Sequence, residues 1–422
     1  MNDTTPEARP PETGPGGESH DKSVTWLTWF GVASFVYLLL VGVGVIGDGF
    51  KLVSGGSEGA AKIFAFAANP IAGVILGTLA TALVQSSSTV TAVVVGLVAG
   101  GVPVQIAVPI IMGANMGTTI TNTIVSLGNL GNKGRFNKAF QAATVHDFFN
   151  LFSIVIILPI ELLFHPLQRM AEAMSVWFVG GGDASIKDIN VLGAMTKPAV
   201  KTIVTQLDGL SPAVGGSLLI VAGVTLVMLS VIYLGKMLRA VMVGKARNIV
   251  NKAIGGGTAT GIASGTVITV LVQSSSTTTS LIVPLAGSGV LTTKQVFPFT
   301  MGANIGTCIT ALLAATAISG GNEVFALQIA LVHLLYNVLG VFVFAVVPWV
   351  KDWPIHAAEW LGNKTEENRL WAFGYIFSVF FVLPGAVFTG EVLFIEPDEQ
   401  IQRTLDEQGS VEEVEEEELT IE

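Results

Sequence analysis

The sequence predicts an all-α polytopic membrane protein made of two inverted repeats, each with a re-entrant helical hairpin and a broken transmembrane helix. Three observations lead there. Residues 71–127 and 253–293 contain no Asp, Glu, Lys or Arg, in a chain only 12% charged and 51% hydrophobic. An ordinary soluble domain is roughly a quarter charged, and one bilayer passage needs about 20 apolar residues. Second, LVQSSSTV at 83–90 is repeated as LVQSSSTT at 271–278. Third, basic residues gather in some short loops and avoid their counterparts.

The net charge of −10 belongs to one end. Residues 396–422 hold twelve acids against Arg403, a net of −11 that leaves about +1 elsewhere. That segment reads as an acidic disordered tail. Residues 1–22 are polar, rich in Pro and Gly, and read as a disordered N-terminal tail without the basic region of a signal peptide. With one cysteine, Cys308, no internal disulfide or Cys-based zinc site can form.

The duplication runs well beyond the polar cluster. GVILGTLATALVQSSSTVTAVVVGLVAGG from Gly73 aligns with GIASGTVITVLVQSSSTTTSLIVPLAGSG from Gly261. PIIMGANMGTTIT (109–121) matches PFTMGANIGTCIT (298–310), and HDFFN (146–150) answers HLLYN (333–337). Three landmarks in one order and spacing are the mark of an internal repeat. Loop 131–138 carries three basic residues and 236–252 carries five, whereas SGGNEV at 319–324 carries none. Positive loops stay cytoplasmic, so equivalent loops face opposite sides, a plan recurrent in secondary transporters.

In chain order, 23–60 reads as a first transmembrane helix and connection, and 61–162 as transport repeat 1. Residues 163–212 read as a polar outward loop, and 213–252 as a connecting transmembrane helix followed by a basic amphipathic surface helix. Transport repeat 2 occupies 253–350, and 351–395 holds amphipathic and transmembrane segments. Hydropathy places spans near 24–46, 103–126, 138–160, 213–235, 295–318, 326–350 and 370–394, an odd number that would separate the termini. Each QSSST lies about a dozen residues from its segment ends, or roughly 18 Å of helix. Segments 71–101 and 259–290 are therefore expected as hairpins with the polar cluster at their tips. The MGAN[MI]GT sequences are expected as helix breaks, tolerated at depth only inside protein or beside a cavity. Gly73/Gly77 and Gly261/Gly265 have the small-residue spacing of close helix packing.

Such tips suit two kinds of ligand. Hydroxyl, amide and freed carbonyl oxygens suit hard cations. Hydroxyls and the N–H groups at a helix start suit an oxyanion. Bound cations would supply the charge that the site lacks, so the residues favour a sodium-coupled anion transporter. His146 and Asp147 lie in an apolar helix, where ionisable residues are functional candidates. The simpler expectation is a packing pair of His146 with Asn150, mirrored by His333 with Asn337.

The two QSSST motifs, GANMGTTITNTIVSL (113–127), FNKAFQAATVHDFFN (136–150), ILPIE (157–161), HLLYN and FVLPGAVF (381–388) together resemble the type II sodium–phosphate cotransporter family. The resemblance spans about 45–162 and 213–390. It implies uptake of inorganic phosphate driven by co-transported sodium ions, not an enzyme. Carried over, Gln85, Ser86, Ser87 and Ser88 with Gln273, Ser274, Ser275 and Ser276 would bind substrate. Sodium would fall to Gln85, Ser88, Thr89, Asn115, Thr118, Gln273, Ser276, Thr277, Asn304 and Thr307. The implied partners are phosphate, sodium and the lipid bilayer, with a homo-oligomer allowed and no nucleic acid. The implied place is the inner (plasma) membrane, multi-pass, with both termini cytoplasmic, against the odd span count. Rival readings are a di- or tricarboxylate carrier of similar architecture, a channel, which lacks a charged ring, and an intramembrane hydrolase, which lacks a base near the serines.

Overall fold

A computed structural model describes residues 18–180, 191–253, 256–318, 322–386 and 389. Most of the expected N-terminal tail, GGGD beyond Gly180, and the acidic tail 396–422 lie outside the described residues. The described chain is helical without strands, and six helices are long and apolar enough to cross a membrane. The protein is an all-α polytopic membrane protein.

Helix α1 (Glu18–Ser54) packs along the 42-residue α10 (Pro212–Ala253). Glycines let the two backbones touch: a Cβ on Gly42 would sit 3.1 Å from the Gly223 carbonyl oxygen, and one on Gly216 2.6 Å from that of Gly49. Residues 236–252, expected as a separate surface helix, instead continue α10. The reason is local: this stretch lacks proline, and its Lys, Arg, Leu, Met and Ala favour helix.

After the short α2 (Ser57–Ile63), α3 (Pro70–Val84) and α4 (Ser87–Ala99) form the first hairpin. Helix α5 (Val104–Thr118) lies against α3. A Cβ on Gly77 would collide with the Ile110 carbonyl, and one on Gly113 with that of Val74. The second half repeats this with α11 (Gly257–Val272) against α14 (Thr293–Ala315), where Gly265 meets the Phe299 carbonyl and Gly302 that of Ile262. A threonine hydroxyl closes each seam, Thr78 to the Gly113 carbonyl (3.2 Å) and Thr266 to that of Gly302 (3.0 Å). The glycine spacings read from the sequence are thus packing surfaces.

The expected helix breaks are only half present. In the first half α5 stops at Thr118 and α6 (Ile120–Ser126) begins one residue later. The Thr118 and Thr119 hydroxyls bond back to the carbonyls of Ala114 (3.1 Å) and Met116 (2.8 Å), a pattern that bends helices. In the second half α14 runs unbroken through MGANIGT. Glycine retains its N–H, so the ladder continues, and Cys308 replaces the second threonine.

Segment 163–212, expected as a loop, holds α8 (Pro166–Gly180) and α9 (Val191–Thr205). The buried Glu161 carboxylate accepts from the N–H groups of Leu167 (2.7 Å) and Gln168 (3.1 Å), capping α8 where it leaves α7 (Lys133–Phe164). Helix α9 lies on α1, with the Tyr37 hydroxyl donating to the Met195 carbonyl (3.3 Å). The remaining span is α15 (Glu323–Val346). Helix α16 (Trp353–Glu367) then braces α7, and the Asn137 amide donates to Glu366 (2.6 Å). Within the expected span at 370–394, residues 370–386 form an apolar helix that opens as α17 (Leu370–Phe377), and most of 387–394 lies outside the described residues.

Candidate functional site

The QSSST tips have one geometry in both halves. Gln85 ends α3 in the left-handed conformation (φ 56°, ψ 29°), and Gln273 ends α11 likewise (φ 55°, ψ 31°). Each glutamine N–H returns 2.7 Å to the threonine carbonyl four residues back, Thr81 or Thr269. The next serine is extended and caps the following helix. Ser86 Oγ accepts from the Thr89 N–H and Ser274 Oγ from the Thr277 N–H, both at 3.2 Å. A left-handed non-glycine residue is rare and costs roughly 1–2 kcal/mol. Its occurrence twice, at one motif position, shows that the motif exists to make this reversal. It brings Ser87 and Ser88 to the first turn of α4, and Ser275 and Ser276 to that of α12 (Ser275–Ser280), which α13 (Val283–Gly287) follows.

The tips differ in their surroundings. Gln273 Oε1 accepts from the Thr310 hydroxyl (2.9 Å), fixing the second tip to α14. The equivalent of Thr310 is Thr121, whose buried hydroxyl has no hydrogen-bond partner, and Gln85 is exposed. The second tip also crosses into the first repeat. Thr279 donates to Asn122 Oδ1 (2.7 Å), and Ser276 to the Thr118 carbonyl (3.5 Å). Arg239 of α10 donates to Thr277 Oγ1 (2.5 Å), placing a guanidinium at this tip. No hydrogen bond joins the two tips directly among the described residues; they meet through the helices between them.

Those helices carry a buried polar network. His146 Nδ1 accepts from the Asn122 amide (3.2 Å), and Nε2 donates to Asn304 Oδ1 (2.6 Å). Asn304 donates to Asn150 Oδ1 (2.7 Å), and Asn150 to the Asn115 carbonyl (2.9 Å). Asn115 Oδ1 in turn lies 3.4 Å from His333 Nε2. The expected pairs within one helix, His146 with Asn150 and His333 with Asn337, do not form between side chains. Residues four apart on a helix are neighbours, yet here each histidine points outward to the MGAN asparagine of the opposite repeat.

Beside the network lies Asp147, wholly buried. Its Oδ2 accepts from Thr123 and from Tyr375, each at 3.0 Å, and its Oδ1 has no partner. The hydroxyls of Thr81, Thr269 and Thr307 are also buried and unpartnered. Thr81 and Thr269 occupy matched places, one turn before each tip glutamine.

The sequence reading missed Asn122, Thr123, Thr279, Thr310, Tyr375 and Arg239. A signal for the first two was present: Thr119, Asn122, Thr123 and Ser126 form an i, i+3, i+4, i+7 polar stripe in an uncharged segment. Tyr375 and Arg239 come from elements outside the duplication and leave no such pattern.

The sequence profile of the Na+/Pi-cotransporter family matches residues 38–179 and 226–355, well over half of the chain. The chain belongs to the Na+/Pi-cotransporter family. This is a family of transporters, not enzymes. It includes the two tips, the MGAN segments and both histidines within the matched ranges. Curated relatives include the human sodium-dependent phosphate transport protein 2B, 31% identical over 84% of this chain and 64% of its own length. The sheep protein 2A is 33% identical over 90% of this chain and 70% of its own length, and the rat protein 2A 31% over 84% and 66%. The chain thus spans somewhat less than two thirds of several of these relatives. No solved structure matches this member of the Na+/Pi-cotransporter family.

Proposed function

We propose that the protein is a secondary active symporter that imports inorganic phosphate with sodium by alternating access, in the inner (plasma) membrane. The observation that carries this is the duplicated tip, in which one strained glutamine and one capping serine set hydroxyls at a helix start in each repeat. Family membership and the printed names of the relatives support phosphate and sodium as the transported species.

Gln85, Ser86, Ser87 and Ser88 with Gln273, Ser274, Ser275 and Ser276 would receive the phosphate oxygens. Hydroxyls donate to an oxyanion without bringing a charge to be buried beforehand. Sodium would be held among Gln85, Ser88, Thr89, Thr118, Gln273, Ser276, Thr277 and Thr307, whose oxygens accept. Asn115 and Asn304 belong to the same reading, but their amide oxygens face His333 and His146, so an ion would take them by displacing a histidine. Asp147 supplies the one carboxylate in this neighbourhood with a spare oxygen, and we add it to the cation ligands. The repeats would lie inverted, with the tips near the midplane and repeats 61–162 and 253–350 moving against the α1–α10 pair.

The test is uptake of radiolabelled phosphate into proteoliposomes under an inward sodium gradient or an equal potassium gradient. Accumulation with sodium alone is the expected result. Uptake of succinate or citrate, with none of phosphate, would transfer the tips to a carboxylate substrate.

A further inference from the structure

A cavity of about 300 Å³ opens between α1, the end of α4, α9 and the chain following α14, and no QSSST residue lines it. Three lysines face it, Lys51 from α1 and Lys197 and Lys201 from α9, against a single carboxylate, Asp48. The described residues of its wall therefore carry a formal +2. Among the described residues none of these three lysines forms a salt bridge. Lys197 and Lys201 stand one helical turn apart, where like charges repel, and Lys51 adds a third from another helix. Glycine seats α9 closely against α1 at the cavity wall, since a Cβ on the lining residue Gly44 would fall 2.9 Å from Val200 Cγ2.

We propose that this cavity binds a doubly charged oxyanion of the phosphate class and acts as an antechamber in which substrate collects before reaching the tips. The volume exceeds that of a monatomic ion. Ammonium groups approaching from two helices match oxygens spread around one centre. A cleft of one sign with low-dielectric walls concentrates counter-ions and raises their rate of entry. The identity of the occupant rests on the proposed function, whereas the site rests on its lysines.

The test uses the full chain in phosphatidylcholine proteoliposomes at fixed sodium, with choline chloride setting ionic strength. In Lys197→Gln/Lys201→Gln the KM for phosphate is expected to rise roughly three- to tenfold at low ionic strength with kcat unchanged. The difference should close at about 0.5 M salt. Lys197→Arg/Lys201→Arg should restore the KM, and Asp48→Asn should lower it. An unchanged KM in the glutamine variant, or a fall in kcat alone, overturns the proposal. So does an effect that appears only when the vesicles contain anionic lipid, since the lysines then serve headgroups. If the wild type moves no phosphate, the transport reading fails separately. The antechamber is then judged by the rise in melting temperature that inorganic phosphate or sulfate gives the purified protein. That rise should vanish in the glutamine variant, and an equal rise in both proteins overturns it.

Discussion

His146 and Asn304, 158 positions apart, share a hydrogen bond of 2.6 Å between Nε2 and Oδ1, and His333 faces Asn115 across 3.4 Å in the mirrored place. Each repeat thus lends a histidine to the other's MGAN asparagine. The four residues form a crossed brace through the centre of the molecule.

The brace is uneven, and its two arms should fail unequally. His146→Ala strands both Asn122 and Asn304, at about 1–3 kcal/mol for each buried group left unpaired. His333→Ala gives up one longer bond from a ring whose Nδ1 already lacks a partner. Thermal unfolding of the detergent-solubilised protein should show the larger fall for His146→Ala, and equal falls would contradict the asymmetry.

The tip glutamines should separate stability from transport. Both Gln85→Ala and Gln273→Ala are expected to abolish coupled uptake. Gln273→Ala also removes the acceptor of Thr310, which should lower stability by about 1 kcal/mol, whereas Gln85→Ala should leave it unchanged. Wild-type uptake in both variants would remove the tips from the mechanism.

Asp147→Asn keeps the shape of the side chain and an oxygen for Thr123 and Tyr375, but loses the charge. The expected result is a folded protein whose half-saturating sodium concentration rises by about tenfold, roughly 1.4 kcal/mol of cation binding. Sodium titration of phosphate uptake measures this. An unaltered sodium curve would leave Asp147 a packing role.

Gly77 and Gly265 should tolerate no side chain. Either alanine variant drives a Cβ into a carbonyl oxygen of the neighbouring helix, with an expected loss of about 1–3 kcal/mol. Gly374→Ala, which meets open space, is the control. Melting temperatures of the three variants decide the matter.

The hairpins, their tips and the glycine seams were legible because each leaves a local mark: an uncharged run, a doubled motif, a four-residue spacing. The second helix break is absent because the glycines of MGANIGT keep their N–H groups, and Cys308 stands where the first half has Thr119, whose hydroxyl bonds back to the Met116 carbonyl. The loop expected at 163–212 is mixed in composition, and its helices become evident only through partners outside it, the nearby Glu161 that caps α8 and the distant α1 that packs on α9. The same holds for the site. QSSST announces itself, but the pairing of His146 with Asn304 depends on two distant helices meeting, and nothing within either helix marks its partner.

The seam between Gly77 and Ile110 bears on how the chain is put together during synthesis. Helix α3 has 15 residues, about 22 Å, and ends in a polar tip. Such a piece is too short to anchor on release from the ribosome, and its glycine face has nothing to grip until α5 has been made. Each hairpin must therefore wait at the insertion machinery for the helix that follows it, so the smallest unit that can enter the bilayer in its final form is the hairpin with its α5 or α14.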